Sequence, residues 1–209
     1  MEAFDTNMIK DKITVALKEK FRDAMKKTAD TGKEQGFFIC ANKEGKLYPS
    51  KPCEGYECTV ILGDPFGVCP QRVQGDFHTH PYMANSRNEY KKKGINPPSD
   101  DILKEEVRRA LIETHEEKGL KGLSPIIPSY QDTLNAIVHK CFKETDATTC
   151  IGSDLDESTV ECWTPKDPRH GQCVRAIFEL RKSVQEKKKL SPKKWVIPLF
   201  DIESINLLK

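Results

Sequence analysis

The order in which helical and strand periodicities follow one another limits the fold of this chain more than any other feature. Ile9, Ile13, Ala16, Leu17, Phe21 and Ala24 recur at helical spacing, and the spacing predicts a helix over about 6–28, closed by ADTG at 29–32. Four short runs follow, QGFFICA (35–41), GKLYPS (45–50), CTVILG (58–63) and RVQGDFHTH (72–80), separated by Gly and Pro, and these read as strands of an antiparallel meander. Helical spacing returns in DDILKEEVRRALIETHEEK, where Leu103, Val107, Ala110 and Leu111 share a face. Ser99 is the expected N-cap there, with Asp100 and Asp101 at the positive helix end. It returns again in SYQDTLNAIVHKCFKE (129–144), through Leu134, Ile137, Val138 and Cys141. A hairpin of TTCIGSD and STVECWTP, a helix over about 170–189 and a last strand in KWVIPLFDI complete the pattern.

No internal repeat and no clear linker divides the sequence, so the pattern predicts one α+β domain with a mixed β-sheet flanked by helices. Residues 1–165 form its body, interrupted by an inserted, helix-containing segment at 83–127 whose start, NSRNEYKKKGINPPSDD, reads as a polar loop. Residues 166–209 are expected to add a C-terminal helix and strand packed on the same domain. At 209 residues a core of useful size is available.

Acids and bases nearly cancel, with a net charge of +2, which gives no general case for nucleic acid or a membrane surface as partner. The sequence has no apolar run of about 18 residues, and MEAFDTNMIKDK lacks the apolar core of a signal peptide. The expectation is therefore a cytoplasmic protein. The lysine groups at 91–93 and 187–189 are read as solvated faces.

Eight cysteines sit uneasily with that location. Cys53, Cys58 and Cys69 have no CxxC pairing and make a weak zinc set. Cys150 and Cys162 flank a hairpin centred near Asp156, which would set them opposite each other, either bonded or as two reduced buried thiols. Trp163 and Trp195 are read as core.

Two of the five histidines lie in GDFHTHPY (75–82). On a strand, residues i and i+2 point to the same face, so His78 and His80 present two imidazoles side by side. That geometry suits a zinc ion, and a catalytic zinc also wants a third protein ligand and a base for its water.

HTHP at 78–81, followed by PSYQD at 128–132, resembles the H-x-H-P … S-x-x-D signature of the JAMM (MPN+/JAB1) zinc metallopeptidases, which include isopeptidases and deubiquitinases with prokaryotic relatives. That family also uses a glutamate on an early strand, and KEQGFFIC offers Glu34, with Gly36 present but Phe37 where a second glycine is usual. The likeness in element order covers about residues 6–165. It implies a JAMM/cytidine-deaminase-like fold. It further implies Zn2+ held by His78, His80 and Asp132, Glu34 as the base for the water, and Ser129 as a hydrogen-bond donor to the oxyanion. The implied activity is cleavage of an amide or isopeptide bond at the C-terminus of a ubiquitin-like or sulfur-carrier-like protein, so the implied partner is a protein substrate, for instance a ubiquitin-like modifier conjugate.

The chain departs from this signature in spacing, since residues 82–128 separate the HxHP proline from the serine. A nearer candidate, PPSDD at 97–101, offers Ser99 with Asp100 or Asp101, but the x-x-D position there is Ile102. Asp132 is accordingly the expected ligand over Asp101. Ser129 and Asp132 also have the spacing of an N-cap and its N3 acid. The insertion leaves after Pro81 and returns before Ser129, which makes it an expected lid or substrate wall. A non-catalytic scaffold of the same fold is the alternative reading, against which all five functional residue types are present.

Overall fold

The computed structural model describes residues 9–54, 68–69, 71–117, 119–143, 148–166, 170–186 and 193–208. The expected strand at 58–63, Cys58 and the lysines at 187–189 lie outside them. The elements are α1 (Val15–Thr31), β1 (Gln35–Ala41), β2 (Leu47–Pro49), β3 (Cys53–Glu54), β4 (Arg72–His80), α2 (Tyr82–Lys92), α3 (Asp100–Glu117), α4 (Tyr130–Lys143), β5 (Thr148–Ser153), β6 (Thr159–Pro165), α5 (His170–Gln185) and β7 (Phe200–Asn206). This is an α+β fold. Six strands form a mixed sheet in the order β2-β1-β4-β5-β6-β7, and the two-residue β3 pairs with β1. Among the described strand pairs only β4–β5 is parallel, so the chain between them must cross from one end of the sheet to the other, and it carries α2, α3 and α4 as it does so.

The two faces of the sheet are covered by different helices. α1 lays Leu17, Phe21 and Met25 on Phe37, Ile39, Phe77, Val160 and Ile205. Phe21, Phe37 and Phe77 form a ring cluster with centroids 4.7–5.8 Å apart. On the opposite face α4 and α5 bury Leu134, Ile137, Ala176 and Leu180 against Trp163 and Phe200. A smaller cluster, Met83, Leu103 and Leu155, joins α2 and α3 to the β5–β6 turn, with Val107 and Leu111 packed against it. Ala110, expected on that face, is exposed.

Several boundaries differ from the sequence reading, each for a local reason. α1 begins at Val15 rather than near residue 6, because the Leu17 N–H donates to Thr14 Oγ1, while the Thr14 hydroxyl donates to the Leu47 carbonyl. Ahead of it, Ile9–Asp11 make a 3-10 turn held by Ile9 and Lys10 N–H groups on the Glu203 carboxylate of β7. Of the polar stretch expected as a loop, residues 85–92 belong to helix α2, and 93–99 are the loop that leads to α3. The helix's first free N–H groups, from Met83 and Ala84, donate to the two carboxylate oxygens of Asp154, each at 3.0 Å. Its Lys91 and Lys92 sit in the last turn, where cations suit the helix dipole. The last strand starts at Phe200, because Pro198 lacks an N–H and places Ile197–Leu199 in a 3-10 turn.

Three disulfides, Cys40–Cys69, Cys141–Cys173 and Cys150–Cys162, brace the fold. The last joins directly opposed residues of β5 and β6, as the hairpin spacing predicted. Cys69 is committed to Cys40, so it cannot act as a thiolate in a set with Cys53 and Cys58. Among the described residues no helix is long and apolar enough to cross a membrane.

Gly75 lies where β4 meets β5, and a Cβ there would fall onto the Thr148 carbonyl. Gly75→Ala must part the parallel β4–β5 pairing, and a fall in Tm of about 10 °C or more, read by circular dichroism, is the expected result.

Candidate metal centre

The alternation of β4 places the candidate ligands. Phe77 packs toward α1, and the Thr79 hydroxyl bonds Thr28 of α1. Asp76, His78 and His80 therefore face the other way, toward the start of α4. There a nitrogen of each histidine and a carboxylate oxygen of Asp132 all lie within 4.8 Å of one another. His78 Nε2 is 3.4 Å from Asp132 Oδ2. Ligands about 2.0–2.1 Å from a tetrahedral ion lie roughly 3.3 Å apart, so this edge already has the required length.

Asp132 is held by a reciprocal cap at the start of α4. The Ser129 N–H donates to Asp132 Oδ2 at 2.7 Å and the Asp132 N–H donates to Ser129 Oγ at 3.3 Å. The cap foreseen for this pair is present and fixes the Asp132 carboxylate, and the bond to Ser129 Oγ uses only an acceptor site of the hydroxyl. Asp101 is exposed on the first turn of α3 and is not among the residues gathered around the histidines.

Glu34 stands immediately before β1 and is 5% exposed. Its position is set by the next residue, whose N–H donates to Thr79 Oγ1 at 2.9 Å, and by the pairing of Gly36 with His78. Phe37, where the resemblance would prefer glycine, is spent in the aromatic cluster of the core.

The electrostatics of the group follow from burial of mixed charges. Desolvation pushes the Glu34 carboxyl up to about 7; the charge on His78 works against this and that on Asp132 adds to it. Burial also opposes charge on His78, but Asp132 and then Asp76 outweigh it and hold its pKa above the usual imidazole range. His80 is driven down to about 4 by burial and by the neighbouring His78. For Asp132, burial is overcome by His78, His80 and the Ser129 side chain, so it stays ionised well below the usual carboxylate range.

These residues fit a divalent ion of the zinc type. His80 Nε2 is buried and has no hydrogen-bond partner, an expense a protein rarely tolerates unless the lone pair has another use. Two imidazoles and one carboxylate are a usual catalytic zinc donor set. A metal here would displace the proton that His78 otherwise carries next to Asp132, so affinity falls as pH is lowered.

Three supporting residues were not picked out from the sequence. Asp76 Oδ2 lies 3.2 Å from His78 Nδ1 and also accepts from the Thr149 hydroxyl at 3.2 Å, the outer carboxylate that commonly orients a ligating imidazole. It is two residues before His78 on the same strand face, so period-2 reasoning could have found it. Thr79 and Asp154 act through contacts distant in sequence and left no local signal. No family model, curated protein or solved structure matches this chain.

Zinc per chain, read by elemental analysis, is expected near one in wild type and Asp101→Ala and to be lost in Asp132→Ala. Metal-free protein has a second signature. Because Glu34 binds a proton more tightly folded than unfolded, its contribution to stability is present below about pH 4.5 and is lost as pH rises to about 7. Glu34→Gln should therefore stabilise the metal-free protein by about 2 kcal/mol at pH 8 and hardly at pH 4.5, as measured by urea unfolding with chelator present.

Proposed function

We propose that this chain is a zinc-dependent peptidase of the JAMM type, with a JAMM/cytidine-deaminase-like fold, hydrolysing an amide or isopeptide bond. The carrying observation is the convergence of His78, His80 and Asp132 around an unpartnered His80 Nε2, with a buried Glu34 coupled to the same charges. His78, His80 and Asp132 would hold the ion, and Ser129 and Glu34 would supply the protein's part of the chemistry. When bound, zinc supplies Lewis acidity toward the substrate carbonyl and lowers the pKa of a water.

Glu34 has the properties of the proton carrier. Its buried carboxyl lies within the charge field of His78 and Asp132, placed to accept a proton from attacking water and return it to the leaving amine. The dry setting that raises its pKa also keeps bulk water from competing for that proton. Ser129, by turning its hydroxyl toward the substrate, donates to the carbonyl oxygen as negative charge develops there. The protein substrate, with a ubiquitin-like or sulfur-carrier-like C-terminus as the class, comes from the motif resemblance. Three disulfides favour an oxidising compartment over the cytoplasmic location that charge and hydropathy suggested.

With ubiquitin-like C-terminal fusions as substrates, Glu34→Gln is expected to keep its zinc and lose at least about a thousandfold in kcat. Ser129→Ala should keep zinc and lose about a hundredfold or more in kcat. Full activity in Glu34→Gln would refute the mechanism.

A further inference from the structure

The two histidines are held in different ways. His78 has a carboxylate behind its Nδ1, at Asp76. His80 shows no hydrogen bond through its Nε2. That nitrogen is the one left for the ion, and among the described residues no hydrogen bond to the His80 ring does what Asp76 does for His78. The ring instead meets His78 edge-on, at 5.2 Å between centroids and 63° between planes, and lies flat on Tyr82, at 5.3 Å and 10°. The torsion that turns an imidazole about its own axis is broad and soft, so a ring without an outer hydrogen bond needs packing to fix its plane.

Tyr82 is in turn immobilised from the β5–β6 turn. It opens α2, and the next two N–H groups, of Met83 and Ala84, bond both oxygens of Asp154. The Asp154 N–H donates to the His80 carbonyl at 3.4 Å. One residue thus ties the backbone of His80 and the start of the helix whose first side chain covers the His80 ring. Met83 packs with Leu103 of α3 and Leu155, which fastens the arrangement from the other side.

We propose that Tyr82 is the positioning residue for His80, and that the first turn of α2, which leads into the inserted segment, is therefore part of the metal centre. This rests on the metal reading above. The flat ring is what the role requires, and the hydroxyl is dispensable.

Zinc affinity by competition with a chromogenic chelator tests it, in the full chain and in Tyr82→Phe, Tyr82→Leu and Asp154→Asn, together with the visible spectrum of each protein loaded with Co2+. Tyr82→Phe should bind zinc within about twofold of wild type. Tyr82→Leu, which keeps apolar bulk but no flat ring, should bind about 10–100-fold more weakly and show an altered cobalt spectrum. Asp154→Asn, which cannot accept both N–H groups, should weaken binding severalfold, and it carries the test if Tyr82→Leu does not fold. Wild-type affinity and cobalt spectrum in both Tyr82→Leu and Asp154→Asn would overturn the proposal. So would a loss in Tyr82→Phe as large as in Tyr82→Leu, which would assign the role to the hydroxyl. Failure of the wild type to bind zinc is a separate outcome and would overturn the metal reading itself.

Discussion

The candidate site depends on β4 being paired along both edges, antiparallel to β1 and parallel to β5. A strand held on both sides cannot slip by one residue without turning every side chain to the wrong face. Phe77 in the aromatic cluster and Thr79 on Thr28 fix that register from the α1 side. Asp76, His78 and His80 are then committed to the other face, where α4 delivers Asp132. The geometry of the candidate site is here a by-product of core packing one residue out of phase.

Burying Glu34, Asp132 and two histidines together works against stability, because each loses hydration that its neighbours only partly replace. The fold limits that penalty by giving the same atoms structural work. Asp132 completes a helix cap, Asp76 takes a threonine hydroxyl as well as His78, and Thr79 bonds both α1 and the backbone beside Glu34. His80 Nε2 is the atom for which no such partner was arranged.

The local parts of this organisation were legible in the sequence. QGFFICA and RVQGDFHTH coincide with β1 and β4, the Cys150–Cys162 hairpin is as spaced, and Ser129 with Asp132 has the form of a cap. What was not legible depended on distant partners. The stretch after Pro81 looks like a loop because its apolar content is low, and it becomes helical through a carboxylate 71 positions away from Met83. In KWVIPLFDI the apolar run suggests a strand from its start, whereas the proline holds the strand back to Phe200. Asp76 was within reach of the reasoning applied to the two histidines, since the same alternation puts it on their face.

The parallel pairing of β4 with β5 obliges the chain to make a long excursion before it can return, whatever that excursion contains. Closing a connection costs only about 0.6 kcal/mol for each doubling of its length. The number of residues between the histidine pair and Asp132 is therefore almost free to drift, provided that both ends are clamped. Here Asp154 clamps the outgoing end and the Ser129–Asp132 cap the returning one. Distance along the chain is thus a poor measure of kinship for a site of this design, and the character of its two anchor points is a better one.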